Sequence, residues 1–537
     1  MRLVMGAESE FGITAVREDG DRIPLSQLRY PLQCAIQGRV AGLRDGTDGG
    51  LFIPTGRMMW DCDHPELSTI EVESPHDVVI AMRAAEQLLL ESMQDVAAAH
   101  DGRIELFRCN VDYMGGAAWA AHESYRHACP PAVLPPHLLP HLVTRVVYCG
   151  AGGLNPTDAG IEFTLSPKAW HFKAAVNGDS TVLRGIYHTR DEPLGGGAWH
   201  RLHVTCGESL CADEAMLLKL GVTALIVACV DAGLLVGDGL ALANPVAALR
   251  AVAADSSCQV QLPLASGGRA TAIEIQRAYL ARVEAHRKDG DLPQWAGEIC
   301  ERWRCALDHL QAQDAWVSRT LDWGIKLQLV RQVAGDATTF RGFRRKNALW
   351  KWTRRRIQQA LAQAQSYPRE LVWMPERALE PNSLIPDDID GIEARLAREG
   401  ATVDEVREHV ALRYRLAALD LRYGQLGPAG IYATLAAQGL VGGWRADASA
   451  IARARHQPPT GGRAAGRARA IAEVASGAHP HDGEAGWEHV LDEGGSRRAE
   501  FPDPLDDAVR WVSIGPQEKR ARLRHMVREL FTSGRAE

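Results

Sequence analysis

A short acidic stretch near the start of the chain carries its densest set of side chains able to do chemistry. Residues 60–73, WDCDHPELSTIEVE, combine the apolar content of a buried strand with one imidazole and five carboxylates: His64, Asp61, Asp63, Glu66, Glu71 and Glu73. Glu8 and Glu10 are two residues apart, so they share one face of a candidate strand. Unpaired charges are costly to remove from water, so a cluster of carboxylates must be exposed, partly protonated or neutralised by cations.

Two interpretations of these carboxylates remain open on spacing alone. A hard divalent cation such as Mg²⁺ takes oxygen ligands and would neutralise a converging cluster. Alternatively, the acids form the solvated outer face of an antiparallel sheet, and spacing alone favours this simpler explanation. His64, His122 and His203 add possible ligands in strand or turn contexts, although a single histidine is more often structural. Arg190 in HTRDEP adds a cation beside two acids.

Composition and motifs exclude several classes of function. The 537 residues are 46% hydrophobic and 24% charged with a net charge of −7, so no overall field draws the protein to nucleic acid or membrane. The longest apolar run, residues 220–230, predicts a buried helix because it is too short to span a bilayer. Neither a P-loop, a G-x-G-x-x-G nor a G-x-S-x-G motif occurs. The eleven cysteines include no C-x-x-C pair, and no signal peptide is recognisable, so we expect reduced thiols and a cytoplasmic protein without zinc.

The local patterns predict the elements that position these residues. Strands are expected over residues 3–16 and 103–113, and two more flank a turn at His64–Pro65. Residues 76–100 have helical periodicity, a long apolar helix follows from about Ala212, and most of 270–335 is helical. The glycine- and arginine-rich stretch 458–473 is interpreted as a linker leading into a helix.

A basic stretch, residues 340–366, interrupts this pattern. Trp350 and Trp352 lie there among seven arginines and lysines between 344 and 356. The segment either binds an acidic protein or nucleic acid or forms a solvated helix face, and nothing else in the chain supports nucleic-acid binding. A charged helix pair is expected over 390–418.

Several motifs, in order, resemble those of the Pup ligase and Pup deamidase family. MGAESEFGIT resembles the family's MGxExE(F/Y)G, GRMMWDCDHPELST resembles GARLYxDxxxHPEY(S/A)T, and CNVDYMGGAAWAAHESY resembles NNxDxxGxSYGxHENY. HTRDEP with WHRLHVTCGES resembles NTRDEP with YRRLHVIxGDx, and LDLRYGQLGPAGIY and PPTGGRAAGR also have counterparts. The resemblance covers about three quarters of the chain.

The resemblance implies an α+β fold related to glutamine synthetase, with a curved, mainly antiparallel sheet packed by helices. It implies a catalytic domain over 1–445, with an atypical basic helical insertion at about 335–415, and a small C-terminal domain over 446–537 near the nucleotide. Asp61 matches the catalytic aspartate, and Glu8, Glu10, Glu66, His122 and His203 match positions of the metal site. Thr69 belongs to the same loop, Arg190 and Arg201 match arginines that meet phosphate or the substrate carboxylate, and Arg463 and Arg467 match an arginine pair near the nucleotide.

The implied chemistry uses ATP and Mg²⁺. The C-terminal glutamate of a small acidic Pup-like modifier is phosphorylated on its side chain and then joined to a lysine of a target protein, with Asp61 as the base. The short connection between the first strand and the GRMMWDCD strand, and the FPDPLDDAVR ending, favour a ligase over a deamidase. An inactive binding scaffold is a further alternative.

Four positions depart from the family motifs. Met59 stands where the motif has tyrosine, His188 where it has asparagine, Glu208 where it has aspartate, and Ala118–Trp119–Ala120 where it has Ser-Tyr-Gly. These departures suggest an altered substrate with the ATP chemistry retained.

Overall fold

A mainly antiparallel β-sheet organises the chain. The computed structural model describes residues 2–46, 49–113, 118–156, 162–190, 199–289, 292–335, 403–477 and 483–515. The described strands are β1 Met5–Arg17, β2 Leu43–Asp45, β3 Leu51–Ile53, β4 Gly56–Asp61, β5 His64–Thr69, β6 Gly102–Arg108, β7 Ala121–His127, β8 Gly153–Leu154, β9 Phe163–Thr164, β10 Ala174–Asn177, β11 Gly185–His188, β12 His200–Val204, β13 Leu262–Pro263, β14 Arg269–Ala270, β15 Glu484–Ala485, β16 His489–Leu491, β17 Arg497–Glu500 and β18 Trp511–Ser513.

Twelve of these strands form one sheet. Its order is β12–β7–β1–β5–β4–β3–β2–β15–β16–β17–β18, and β6 pairs with the second half of β1. Within this sheet only the β2–β15 pair is parallel. The central strand β1 is thirteen residues long because β5 and β7 pair with its first half and β6 with its second.

Helices cover the sheet and build most of the core. They are α1 Arg29–Gln37, α2 Pro75–Ala99, α3 Leu134–Thr144, α4 Val146–Cys149, α5 Asp213–Asp231, α6 Pro245–Ala253, α7 Ala272–Asp289, α8 Ala296–Ala312, α9 Val317–Thr320, α10 Asp322–Ala334, α11 Val403–Tyr423, α12 Ile431–Ala437, α13 Ala448–Ala454 and α14 Gly462–Ala475. Ser74 caps α2, where its hydroxyl accepts a hydrogen bond from the His76 N–H, and Pro75 supplies the favoured first residue.

Helix α5 contains the longest apolar run of the sequence. Its residues from Glu214 to Val230 are all buried, which confirms the predicted core helix. No helix in the described part of the chain combines the length and apolar character that a membrane span needs. The predicted α+β class with a mainly antiparallel sheet is confirmed, as are helix α2 and the helical character of most of 270–335.

Three sequence predictions need comment. The turn predicted at His64–Pro65 was wrong, because the chain turns at Cys62–Asp63 and His64 already begins β5. The stretch 458–473 is not mainly a linker, since α14 begins at Gly462 and buries its small side chains. The basic segment around Trp350 and the start of the expected 390–418 helix pair lie outside the described residues, whereas the later part falls within α11.

The C-terminal strands do not form a sheet of their own. Strand β15 continues the large sheet beside β2. A separate small apolar core nevertheless joins this region to β2 and β3, with Leu43 and Phe52 packing in one cluster with Ile471 and Phe501. The division of the chain at 445/446 stays a prediction.

Candidate functional site

Five adjacent strands present the candidate residues on one face of the sheet. Glu8 on β1 lies directly opposite His122 on β7, and Glu10 lies opposite Glu66 on β5. Cross-strand partners in an antiparallel pair point to the same side, and residues two apart along a strand do so as well. Asp61, at the end of β4, therefore joins the same face.

Glu10, Asp61 and Glu66 form what we call the acid cluster. Each offers a carboxylate oxygen, and these oxygens lie within 4.8 Å of one another. Burial, together with the charge of Asp61, raises the pKa of Glu10 to about 7, although the Ala120 N–H donates to Glu10 Oε2 at 2.6 Å. Burial and the neighbouring carboxylates raise the pKa of Glu66 to about 9. Three acids this close cannot all be charged without a cation.

Glu8, His122 and His203 form a second group, the glutamate–histidine cluster. Glu8 Oε1 lies 2.5 Å from His122 Nδ1 and 3.3 Å from His203 Nε2. Burial favours a neutral Glu8, but the hydrogen bonds from both imidazoles outweigh it and hold its pKa well below the usual range. Burial lowers the pKa of His122 to about 4. The cluster therefore places one buried carboxylate between two nitrogen donors.

Arg201 reaches the glutamate–histidine cluster from β12. Its Nη2 lies 2.7 Å from His203 Nδ1. Because a guanidinium only donates hydrogen bonds, Nδ1 must accept, and in the neutral ring Nε2 carries the proton that faces Glu8. The guanidinium thus sets the tautomer of the imidazole beside it.

Arg190 lies at the rim of the site, just after β11. Arg190 is exposed, and its backbone N–H donates a hydrogen bond to His188 Nδ1 at 3.2 Å. The His188 ring is buried and lies 5.8 Å from the His203 ring, centroid to centroid. The histidine that replaces the family asparagine therefore lies in the site and turns the chain at Arg190.

Arg463 and Arg467 are bound by a buried carboxylate. Arg467 Nη2 lies 2.6 Å from Glu71 Oε2, and the Nε of Arg463 donates to Glu71 Oε1. The Arg467 guanidinium also lies over the Trp487 ring, 5.1 Å from its centroid. Thr69 is buried as well, and its hydroxyl accepts a hydrogen bond from the Ala7 N–H at 3.0 Å, so it ties β5 to β1.

One cavity of about 610 Å³ joins these groups. Of the eleven residues selected from the sequence, ten line it: Glu8, Glu10, Asp61, Glu66, Thr69, His122, Arg190, Arg201, His203 and Arg463. Arg467 does not line the cavity, and its guanidinium instead contacts both carboxylate oxygens of Glu71. The solvated-face interpretation of the carboxylates is wrong for Glu8, Glu10, Glu66 and Glu71, which are largely shielded from water.

Sequence reasoning did not select several residues of this cavity. Arg57 lies two positions before Met59 on β4, and its Nη1 contacts the Met59 sulfur at 3.0 Å. The period-2 pattern Arg57, Met59, Asp61 was the signal that could have found it. Arg126 also lines the cavity and lies four residues after His122 on β7, so the same period of two could have found it. Trp199 and Trp487 line it from outside the strands and carry no local signal.

The donor chemistry of the two clusters fits divalent cations. The acid cluster offers only oxygen atoms, which is what Mg²⁺ prefers. The glutamate–histidine cluster offers one oxygen and two imidazoles. A cation at either place would also remove the charge conflict that raises the pKa values of Glu10 and Glu66.

The chain is similar in sequence to known proteins over most of its length. A model of the family described as Pup-ligase protein matches residues 3–361 and 397–491. The depupylase of Acidothermus cellulolyticus is 36% identical over 283 residues, 51% of this chain and 56% of the depupylase. The Pup–protein ligase of Nocardia farcinica is 34% identical over 342 residues, 62% of this chain and 74% of the ligase. The match thus spans little more than half of the first relative and about three quarters of the second.

Solved structures share the fold. The ligase PafA in complex with the prokaryotic ubiquitin-like protein Pup superposes with a TM-score of 0.67 at 21% identity, over 97% of this chain and 91% of that chain. The Pup ligase PafA in complex with ADP gives a TM-score of 0.63 at 21% identity, over 94% of both chains.

Proposed function

The chain belongs to the Pup-ligase protein family, and from this premise we propose that it is an ATP-dependent carboxylate–amine ligase. Its substrates are the C-terminal glutamate of a small, acidic Pup-like modifier and a lysine of a target protein, which it joins by an isopeptide bond. The observation that carries the proposal is the cavity itself. Its lining combines the acid cluster, the glutamate–histidine cluster, Arg190 and Arg201.

The first step is phosphorylation of the modifier's side-chain carboxylate. A carboxylate oxygen attacks the terminal phosphorus of ATP, the bond to the bridging oxygen breaks, and ADP leaves. Glu8, Glu10 and Glu66 with His122 and His203 would hold Mg²⁺, which when bound neutralises charge on the transferring phosphoryl group. Arg201 and Arg190 would meet the phosphate oxygens or the substrate carboxylate. Both line the cavity, and guanidinium groups suit both anions, which supports this role.

The second step is attack by the lysine amine on the acyl phosphate. The nitrogen bonds to the acyl carbon, the carbon–oxygen bond to phosphate breaks, and inorganic phosphate leaves. A lysine with its usual pKa near 10.4 must first lose a proton at neutral pH. Asp61 supports this role because it is only partly buried and ends β4 beside an exposed turn that a target protein can approach.

A second candidate is hydrolysis of an amide or isopeptide bond by the same site. The observation that favours it is the 36% identity to the depupylase. In that reaction Asp61 activates water and the nucleotide is not consumed at each turnover. An inactive scaffold is a third candidate, favoured by Met59, whose thioether replaces the hydroxyl of the family tyrosine in the lining of the cavity.

We also propose that the protein acts in the cytoplasm. All eleven cysteines are free thiols, among them Cys34, Cys62 and Cys305, which are exposed. Exposed unpaired cysteines are typical of a reducing compartment.

The test is ADP release from Mg²⁺-ATP in the presence of small acidic peptides that end in glutamate. The ligase proposal expects peptide-dependent ADP formation that Glu8→Ala abolishes, together with a mass shift of a lysine-bearing target that Asp61→Asn abolishes. Binding of ATP without turnover, combined with cleavage of a modifier–target conjugate, would instead establish the hydrolase. Binding without either reaction would leave the scaffold.

A further inference from the structure

An aromatic pair lies beside the acid cluster, just beyond the residues that line the cavity. The rings of His64 and Trp119 meet edge to face, with centroids 5.5 Å apart and an interplanar angle of 67°. His64 begins β5 and Trp119 precedes β7, and β1 runs between these two strands. The contact therefore crosses β1 just beyond Glu10. We call this pair the end wall.

The end wall stands on the same face as the catalytic groups. His64 is the cross-strand partner of Asp61 and lies two residues before Glu66, so all three side chains point to one side of the sheet. Trp119 is held from the other side, where its neighbour Ala120 exchanges two hydrogen bonds with Glu10. The Ala120 N–H donates to Glu10 Oε2, and the Glu10 N–H donates to the Ala120 carbonyl at 3.0 Å.

The backbone under Trp119 is fixed by a further chain of contacts. The Trp119 N–H donates to the Asn110 carbonyl at 3.2 Å. The Asn110 side chain in turn bonds the backbone of Ser209 in both directions, at 3.0 and 2.8 Å. The ring position is therefore set by three segments of the chain and does not depend on a loop tip.

The turn beside this pair lies at the surface of the protein. Cys62 and Asp63 form the two-residue turn between β4 and β5 with φ angles of 46° and 70°, and both are exposed. His64 directly follows this turn and pairs with Asp61, so a side chain that approaches Asp61 from the turn lies beside the end wall.

We propose that Trp119 and His64 receive the aliphatic stem of the target's lysine and guide its ammonium group to Asp61. The chemistry of the pair fits a cationic occupant with an aliphatic stem. An aromatic face attracts a cation and packs against methylene groups, and Asp61, the cross-strand partner of His64, offers an acceptor to an ammonium ion. Once the ammonium group has given its proton to Asp61, the neutral nitrogen is beside the acyl phosphate. This inference rests on the proposed ligase function.

The experiment separates the lysine from the rest of the reaction by comparing two nucleophiles. Hydroxylamine attacks the acyl phosphate directly and releases phosphate, and it has no aliphatic stem to bind. The hydroxamate that forms is measured as its coloured complex with Fe³⁺. A lysine-bearing peptide forms the isopeptide bond. Both are measured with Mg²⁺-ATP and a peptide ending in glutamate for the wild type, Trp119→Ala, Trp119→Phe and, as control, Trp511→Ala on the far edge strand β18.

For Trp119→Ala we expect a KM for the lysine peptide about tenfold higher, with the rate of hydroxamate formation within a factor of about two of wild type. Trp119→Phe restores most of the affinity because it keeps an aromatic face, and Trp511→Ala changes neither rate. Hydroxamate formation also shows that a variant is folded and phosphorylates its substrate.

Two results would overturn this inference and leave the proposed ligase function intact. One is an unchanged KM for the lysine peptide in Trp119→Ala. The other is a raised KM for the glutamate peptide in the hydroxamate assay, which would assign the end wall to the modifier. A wild type that makes neither ADP nor hydroxamate would remove the proposed function itself, and the wild-type assay alone reveals that outcome.

Discussion

Substitution of Glu71 by glutamine tests how the C-terminal helix is attached to the sheet. Glu71 follows β5, and both of its partners, Arg463 and Arg467, lie on α14. The three side chains are only 11%, 5% and 2% exposed. Glutamine keeps the shape of the side chain but removes the charge that both guanidinium groups share. Arg463 then keeps its longer contact with Glu488 Oε1, 3.5 Å from its Nη1.

The expected cost is large for one substitution. Removing one partner of a buried ion pair costs about 3–5 kcal/mol, because the remaining charge is left in a medium of low dielectric constant. That is a large share of the roughly 5–15 kcal/mol that stabilises a typical domain. The loss falls on the contact between α14 and β5, so we expect the amides of α14 to exchange with solvent before those of β1.

The assay is urea unfolding combined with hydrogen exchange, and the chain contains a matched control. Glu73, two residues further on, pairs with Arg2 at the surface, where the two side chains are 38% and 50% exposed. Glu73→Gln should change the free energy of unfolding by less than about 1 kcal/mol. Equal effects of the two substitutions, or unchanged exchange in α14 of Glu71→Gln, would refute the reasoning.

The ion pairs of Glu71 also predict in which direction the stability of the protein changes with pH. Burial opposes ionisation of Glu71, but the charges of Arg467 and Arg463 outweigh it and hold its pKa well below the usual range. A carboxyl whose pKa is lower in the folded state stabilises above its unfolded pKa, about 4.3, and loses that contribution as the pH falls towards the folded value. The stability difference between wild type and Glu71→Gln should therefore narrow below about pH 5.

Three further predictions concern the cavity. Burial raises the pKa of Glu10 to about 7 and that of Glu66 to about 9, so a divalent cation that binds these acids must displace protons. The affinity for Mn²⁺, measured by calorimetry, should therefore rise from pH 6 to pH 9. Equal affinities at the two pH values would contradict a cation site at these acids. Asp61→Asn should slow isopeptide formation by about 10²–10⁴-fold and spare hydroxamate formation, since hydroxylamine is already unprotonated at neutral pH; equal losses in both would contradict its role as base. Gly56→Ala should lower the free energy of unfolding, measured with urea, by more than about 2 kcal/mol. The φ angle of Gly56 is 145°, and a Cβ there would collide with the Ser68 carbonyl oxygen. A variant as stable as the wild type would show that β4 and β5 can move apart to accommodate the Cβ.

Local pattern is enough to find most of the site. The period of two along β1 is sufficient to put Glu8 and Glu10 on one face, and the ordered motifs identify the family. Ten of the eleven residues so selected line one cavity. Helix α5 can also be predicted from the sequence, because an apolar run that is too short to span a membrane is expected to be buried in the core.

What the pattern could not supply was the order of the strands. Nothing local says that β1 lies between β5 and β7, yet that order puts His122 beside Glu8 and brings Trp119 across to His64. The turn was misplaced because its sequence gives no signal. Neither Cys62 nor Asp63 is a glycine, so nothing in the sequence indicates that both adopt a left-handed backbone conformation. The sequence also could not show which group Arg467 binds. Its motif suggested the nucleotide, whereas its guanidinium binds Glu71.

The sequence by itself determined which side chains share a face and which family the chain resembles, because both depend on residues close together along the chain. Only the tertiary structure decided which faces meet, which carboxylates are buried together until their pKa values rise, and which acid neutralises Arg463 and Arg467 of α14. That last outcome joins residues 392 and 396 positions apart, and all three depend on the exclusion of water between distant segments. A linear pattern of residue types contains neither the pairing nor the burial.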